Sequence, residues 1–251
     1  MKKLMIAAVA SIAAVGAFAV ESANIVGYQA KSVRQYLSQQ VCTFDQIGVV
    51  GGALDIQKLI PVDGEGDYVG EGDINIQFKS QFGVLQAAYA YYGPKELNKK
   101  QTEPGWYDED TEELAEYEFA SGEGFQVYGN SACNFQYSGE VNMAETDVPF
   151  GQYLSMQGNV RPSAVDIQDI IPVDDEGDYI GEGEVNIQFA SAFGVLEAAY
   201  SYYGPKELNK KQTEPGWYDE DTEELAEYTF AAGEGFKIYA GTAGYLRFPE
   251  L

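Results

Sequence analysis

Histidine is missing from all 251 residues of this chain. That absence removes Ser-His-Asp and Cys-His nucleophilic catalysis and the commonest zinc and iron ligand sets. Basic residues are scarce: 15 Lys and Arg stand against 40 Asp and Glu, a formal net charge of −25. Such a polyanion repels nucleic acid and anionic lipid, because affinity for both rests on Lys and Arg. Neither is expected as a partner. No G-x-S-x-G elbow, phosphate-binding loop or dinucleotide fingerprint occurs. Carboxylate chemistry of the glycosidase kind remains open, but among 40 acids no pair is singled out. The sequence points away from an enzyme.

Long apolar runs are absent too, except at the amino terminus, MKKLMIAAVASIAAVGAFAVESANIVGY. Lys2 and Lys3 precede a short apolar stretch from Leu4 to Phe18, and Ala17-Phe18-Ala19 offers small residues at a cleavage point. A spanning helix needs about 20 apolar residues, more than this run supplies, so residues 1–19 read as a signal peptide, with Glu21-Ser22-Ala23 as a later cleavage point. The mature chain is expected to be exported, to the periplasm, the cell surface or the medium, without a membrane span. Cys42 and Cys133 are the only cysteines. In an oxidising compartment they read as a disulfide, whose 91-residue span would contribute about 4–5 kcal/mol by loop-closure entropy.

What is present is a duplication. Residues 53–129 and 164–240 differ at 16 of 77 aligned positions, leaving 61 identities, and Tyr91–Tyr117 recurs unchanged as Tyr202–Tyr228. Upstream, QYLS recurs at 35–38 and 152–155 with a slightly longer offset. Two modules follow, 24–141 and 148–251. Period-2 alternation in Asp73–Phe78 and Glu184–Phe189, and in GFQVYG and GFKIYA after Gly-Glu-Gly turns, predicts half-buried strands. FGVLQAAYAYYG fits a strand or a short helix burying Phe82, Leu85 and Tyr89, and TEELAEY fits a helical turn. The expected fold is all-β: two tandem β-sandwich or barrel-like modules with at most short helices. Aliphatic exchanges between the copies, such as Leu54/Val165 and Val127/Ile238, are the near volume-conserving swaps a core tolerates.

The order SANIVGYQ, then GWYD, GEGFQVYG and a closing FQYSGEV resembles a group of uncharacterised secreted bacterial proteins. In that group an ANIVGY start introduces tandem β-rich modules, each closing with an aromatic strand after a Gly-x-Gly-Phe turn. The resemblance implies export and tandem β modules and supplies no catalytic residue. This chain departs from the pattern through its cysteine pair and its KELNKKQ segment.

Three features are site-like. In IPVDGEGDYVGEGD, Asp63, Glu65 and Asp67 alternate like the first ligands of a calcium loop, and Asp174, Glu176 and Asp178 repeat them. The glycine and terminal glutamate of an EF-hand are missing, so calcium stands beside a solvated acidic turn as a reading. Trp106 and Trp217 are either core residues or platforms for an extracellular polysaccharide. Lys95, Lys99 and Lys100, repeated as Lys206, Lys210 and Lys211, precede a run of acids in each copy. A basic patch beside an acidic one, displayed twice, suits head-to-tail self-association. The expected function is thus a structural or adhesive surface protein, with a pair of carbohydrate-binding modules as the alternative and a carboxylate glycosidase behind both.

Overall fold

A computed structural model describes residues 26–43, 54–69, 73–95, 97–98, 100–120, 122–181, 184–206, 208 and 211–251. The segment read as a signal peptide, Lys99 and Lys210 lie outside the described residues. The first module contains β1 (Val26–Val33), β2 (Tyr36–Val41), β3 (Leu54–Asp55), β4 (Ile60–Val62), β5 (Ile74–Lys79), β6 (Leu85–Tyr92), β7 (Gly105–Asp108), β8 (Glu118–Phe119), β9 (Gly124–Gly129) and β10 (Cys133–Glu140). The second repeats them as β11 (Thr146–Phe150), β12 (Tyr153–Gly158), β13 (Val165–Asp166), β14 (Ile171–Val173), β15 (Val185–Ala190), β16 (Leu196–Tyr203), β17 (Gly216–Asp219), β18 (Thr229–Phe230), β19 (Gly235–Ala240) and β20 (Gly244–Phe248). The chain is mostly β, as the alternation predicts. Helical geometry among the described residues is confined to single 3-10 turns at Ile56–Lys58 and Ile167–Asp169, and no helix there is long and apolar enough to cross a membrane.

In the first module a five-stranded antiparallel sheet in the order β2-β9-β5-β6-β7 faces a three-stranded sheet, β1-β10-β4, with the pair β3-β8 beside them. The second module has the same arrangement, β12-β19-β15-β16-β17 and β11-β20-β14 with β13-β18. Registers match as well: Val33 pairs with Cys133 where Phe150 pairs with Gly244, and Lys79 with Leu85 where Ala190 pairs with Leu196. The core fills the space between the sheets. Ile74 and Ile76 point inward from β5 while Asn75 and Gln77 are half-buried, the pleat alternation of a strand with one wet face. Phe125, Val127, Trp106, Phe119 and Phe135 complete one core, and Phe236, Ile238, Trp217, Phe230 and Leu246 belong to the other.

FGVLQAAYAYYG is strand from Leu85, not helix, and buries Tyr89 while leaving Phe82 and Leu85 exposed. TEELAEY forms no helical turn. Glu112 takes a left-handed φ of 60° and Leu114 bridges back to Tyr107.

Cys42 and Cys133 are both buried thiols in one core, and the expected disulfide is not formed. Thr43, next to Cys42, meets the Tyr137 hydroxyl at 3.3 Å. Cys133 starts β10 four residues before Tyr137, and both thiols are free. Burial also pushes the Cys133 thiol up to about 12, so it stays protonated at neutral pH.

The modules are joined by residues 141–145 and by contacts near a pseudo-twofold axis. Arg161, fully buried, donates to the carbonyls of Asn142 (2.7 Å) and Ala144 (2.7 Å) in the connection and of Phe248 (3.1 Å) in β20. Across the axis, β2 and β9 pack on β12 and β19, and Val41 enters the second module's core. Gly124 abuts the backbone of Met156 and Gln157, and its counterpart Gly235 abuts that of Gln39 and Gln40. A Cβ on either would come within 2.6 Å of backbone atoms, so glycine is what lets the two sheets approach this closely.

Candidate binding surfaces

Trp106 and Trp217 are fully buried, and each indole N–H donates at 2.7 Å to a carbonyl, Leu59 or Ile170. Neither is accessible to a sugar, so the core reading holds and the tryptophan platform does not. Each Trp is fixed by a glutamine from the 3-10 turn. Gln57 Nε2 donates to the carbonyls of Trp106 (3.0 Å) and Ala115 (2.9 Å), and its Oε1 accepts from Trp106 N–H (2.9 Å). Gln168 repeats this on Trp217 and Ala226 at 3.0, 2.9 and 3.0 Å. These glutamines were invisible as organisers in the sequence because their partners lie 49 and 58 residues away.

The acidic segments are tight turns. Asp63 Oδ1 accepts from the backbone amides of Glu65 and Asp67, both at 2.9 Å, and Gly66 supplies a φ of 88°. Asp174 does the same for Glu176 and Asp178 at 3.0 and 2.9 Å. One carboxylate in each turn is therefore occupied by the backbone. Among the described residues no three acidic or thiol side chains gather around a common point.

The repeated basic patch is paired inside its own module. Lys100 forms an ion pair with Glu112, and Lys211 with Glu223. These pairs are exposed, and such pairs contribute little, about 0–1 kcal/mol. Lys95 and Lys206 sit exposed in the turns after β6 and β16. One lysine of each block thus has a local partner.

The sequence did not foreshadow the surface that stands out. The β5–β6 and β15–β16 hairpins end in Ser80–Val84 and Ser191–Val195. Each serine hydroxyl accepts from two backbone amides of its loop, and Gly83 and Gly194 take φ values of 75° and 77°. The sharp turn pushes the apolar tip outward: Phe82 is 72% exposed and Phe193 79%, with Val84, Leu85, Val195 and Leu196 also exposed.

Each tip crosses to the other module. Phe82 stacks beside Tyr153, ring centroids 5.8 Å apart, and Phe193 beside Tyr36 at 5.4 Å. Backbone bonds fasten the crossings, Leu154 N–H to Gln81 O at 3.3 Å and Leu37 N–H to Ala192 O at 3.1 Å. Tyr36 and Tyr153 are left-handed, at φ 68° and 70°, a strained state for a bulky residue. Both are about half exposed. The same strain, beside the same exposed Phe, occurs once in each copy.

Comparison of the chain with protein-family models, with curated proteins and with solved structures finds no match.

Proposed function

We propose that this chain is an exported, non-enzymatic structural or adhesive protein that assembles with copies of itself through its two apolar hairpin tips. The observation that carries the reading is the twofold occurrence of an exposed Phe-Gly-Val-Leu tip beside an exposed, backbone-strained tyrosine. A monomer gains nothing from leaving these side chains wet. A second copy offers a surface of the same chemistry, so tip-on-tip contacts can be isologous. Two such tips on one chain make it bivalent, and bivalent units with isologous contacts grow into linear arrays. The reading rests on the tips rather than on the charged block, where Lys100 and Lys211 each pair with a glutamate of their own module.

The magnitude sets the kind of assembly. Fully burying one such side chain contributes about 1.5–3 kcal/mol, and each tip holds three that are more than half exposed, beside a tyrosine exposed to about half. That gives about 4–7 kcal/mol per tip and ~8–14 kcal/mol per contact, against an association cost of ~4–15 kcal/mol. Contacts of this size are weak singly and depend on concentration.

Sedimentation velocity of the mature protein over a concentration series, with negative-stain microscopy, tests the reading. The natural chain is expected to form arrays that lengthen with concentration. Phe82→Ser or Phe193→Ser alone should stop growth at dimers, and the double variant should be monomeric. A natural protein that stays monomeric at high concentration, or a double variant that assembles as well as the parent, would overturn it.

A further inference from the structure

The two hairpin tips are alike in their apolar residues and unlike in charge. The first reads KSQFGVLQ from Lys79 to Gln86, and the second reads ASAFGVLE from Ala190 to Glu197. Phe, Gly, Val and Leu recur unchanged, as do the serine-closed turn and the crossing to the other module. The flanking positions differ. Lys79 ends β5 where Ala190 ends β15, and each pairs across its hairpin with the exposed leucine, Leu85 or Leu196. The residue after that leucine is Gln86 in one tip and Glu197 in the other, both exposed. One tip therefore carries a cation that the other lacks, and the other an anion that the first lacks.

The surroundings supplied by the opposite module keep this contrast. Beside the first tip stands half-buried Lys237 of β19, whose counterpart on β9 is the neutral Gln126. Burial, and after it the charge of Lys79, lower the pKa of Lys237, so the two ammonium groups lie within electrostatic reach of each other. Beside the second tip stands Arg34, which donates through Nη2 to Ala190 O at 2.5 Å and whose counterpart is Gly151. Glu123 and Glu234 occupy equivalent positions in the two copies, each accepting from a tyrosine hydroxyl, and do not distinguish the tips. The first tip thus has two cations where the second has one cation and one anion. Among the described residues neither Lys79 nor Glu197 belongs to an ion pair. Lys79 Nζ lies 6.0 Å from the centre of the Tyr128 ring.

When two tips bury their Phe, Val and Leu against each other, the residues flanking them form the rim of the contact. Rim charges add little affinity but choose among partners, because like charges placed face to face are costly and opposite ones steer the encounter. Two first tips bring Lys79 against Lys79, and two second tips bring Glu197 against Glu197. A first tip meeting a second brings Lys79 against Glu197. Copies with a net charge of −25 also repel on approach, and a cation on one contact surface relieves that repulsion only for an anionic partner.

We infer that the tips pair unlike with unlike, the first tip of one copy docking on the second tip of the next, with Lys79 and Glu197 setting the direction. This rests on assembly through the tips and gives it a polarity. Like tips share the apolar surface and associate more weakly, so arrays grow head to tail, as heterologous contacts that do not close into a ring must.

The test uses single-tip chains. Phe193→Ser leaves the first tip and Phe82→Ser the second, so each alone forms only a like-tip dimer, while an equimolar mixture also forms the unlike pair. Sedimentation velocity with one chain fluorescently labelled measures all three affinities. The mixed dimer is expected to be about three- to tenfold tighter than either homodimer at low salt, the scale of an exposed opposite-charge pair gained and a like-charge pair avoided. Raised salt should shrink the difference. Lys79→Glu in the Phe193→Ser chain should erase the preference, and adding Glu197→Lys to the Phe82→Ser chain should restore it. Thermal unfolding identifies a charge variant that fails to fold, and the salt series on the unaltered charges then decides. Homodimers as tight as the mixed dimer, a preference that salt leaves intact, or one that survives Lys79→Glu would overturn this inference and leave the tip reading standing. No association of the natural chain or of any single-tip combination would overturn both.

Discussion

Replacing Gly124 and Gly235 together with alanine should separate the modules. Neither residue needs a positive φ, so backbone conformation does not forbid alanine at either site. In an unhindered strand each replacement would stabilise by about 0.4–1 kcal/mol, through lower entropy of the unfolded chain. Here the new methyl at 124 would sit 2.5 Å from the Met156 carbonyl carbon, and the one at 235 would sit 2.4 Å from Gln40 N. Ordinary carbon contacts need about 3.5–4.0 Å, so one sheet must retreat from the other by about 1 Å. The obstructing atoms are backbone and cannot rotate away.

That retreat stretches the backbone bonds between the modules. Leu37 N–H to Ala192 O (3.1 Å), Val41 N–H to Gly233 O (3.3 Å) and Leu154 N–H to Gln81 O (3.3 Å) would all pass beyond hydrogen-bond range. Three bonds at about 0.5–1.5 kcal/mol each, with overpacking strain of ~1–3 kcal/mol, outweigh a gain of about 1–2 kcal/mol from the two alanines. The net expectation is a loss of roughly 1–6 kcal/mol, opposite in sign to the unhindered case. Urea unfolding followed by tryptophan fluorescence reads both cores, because each module buries one tryptophan, and small-angle scattering reads the separation. A lower midpoint and a larger radius of gyration are expected. A double variant as stable as the parent or more so, with unchanged scattering, would refute the close approach of the two sheets.

Two further outcomes follow from the geometry. Gln57→Leu and Gln168→Leu each take the glutamine partner from the tryptophan N–H and from the Ala115 or Ala226 carbonyl, while the tryptophan carbonyl keeps the Ala115 or Ala226 N–H. Each should cost about 3–5 kcal/mol by chemical denaturation, and the two costs should match; a large difference between the copies would contradict their equivalence. At high pH, burial raises the hydroxyl pKa of Tyr89, Tyr117, Tyr137, Tyr200 and Tyr228, with a Glu123 or Glu234 hydrogen bond adding to the rise at Tyr117 and Tyr228. A raised folded pKa contributes stability that is full below about 10, the unfolded value, and is lost as pH climbs toward the folded one. Absorbance at alkaline pH should therefore show these tyrosines ionising together with unfolding, and a smooth titration of all of them in the folded state would contradict it.

Strand β5 was legible because it has one wetter face. Asp73-Ile74-Asn75-Ile76-Gln77-Phe78 alternates in sequence and in burial, and GFQVYG and GWYD lie where their pattern places them. The core role of Trp106 was legible for a related reason, since a single Trp in a strand-like segment has the volume to fill a small module. The tips were not legible. Phe82, Val84 and Leu85 have the composition of a buried run, and only the Ser80–Gly83 turn, closed by Ser80 N–H to Val84 O at 2.8 Å, turns them outward. The contact between modules was hidden as well. Gly124 and Gly235 look like ordinary turn glycines until the backbone of the other module is placed against them.

The unchanged stretch Tyr91–Tyr117 takes its meaning from that contact. It contains core residues (Tyr91, Trp106, Tyr107, Ala115) as well as the exposed Lys100–Glu112 pair, so neither packing nor surface alone explains its identity with Tyr202–Tyr228. Its strand β7 is the edge of the five-stranded sheet farthest from β2, whereas the modules meet through β2 and β9. Many of the differences gather on the meeting side: Lys79 against Ala190, Gln81 against Ala192, Gln126 against Lys237, Gln39 against Met156, Val33 against Phe150. Two identical halves that pack on each other form equivalent clefts on both sides of the axis. Once one side carries a lysine and a phenylalanine and the other an alanine and a valine, the sides are free to do different things. Residues remote from the axis meet the same surroundings in both copies and have no such reason to diverge. The identity of the block and the asymmetry of the two sides are then two consequences of one arrangement, a duplicated module folded against its own copy.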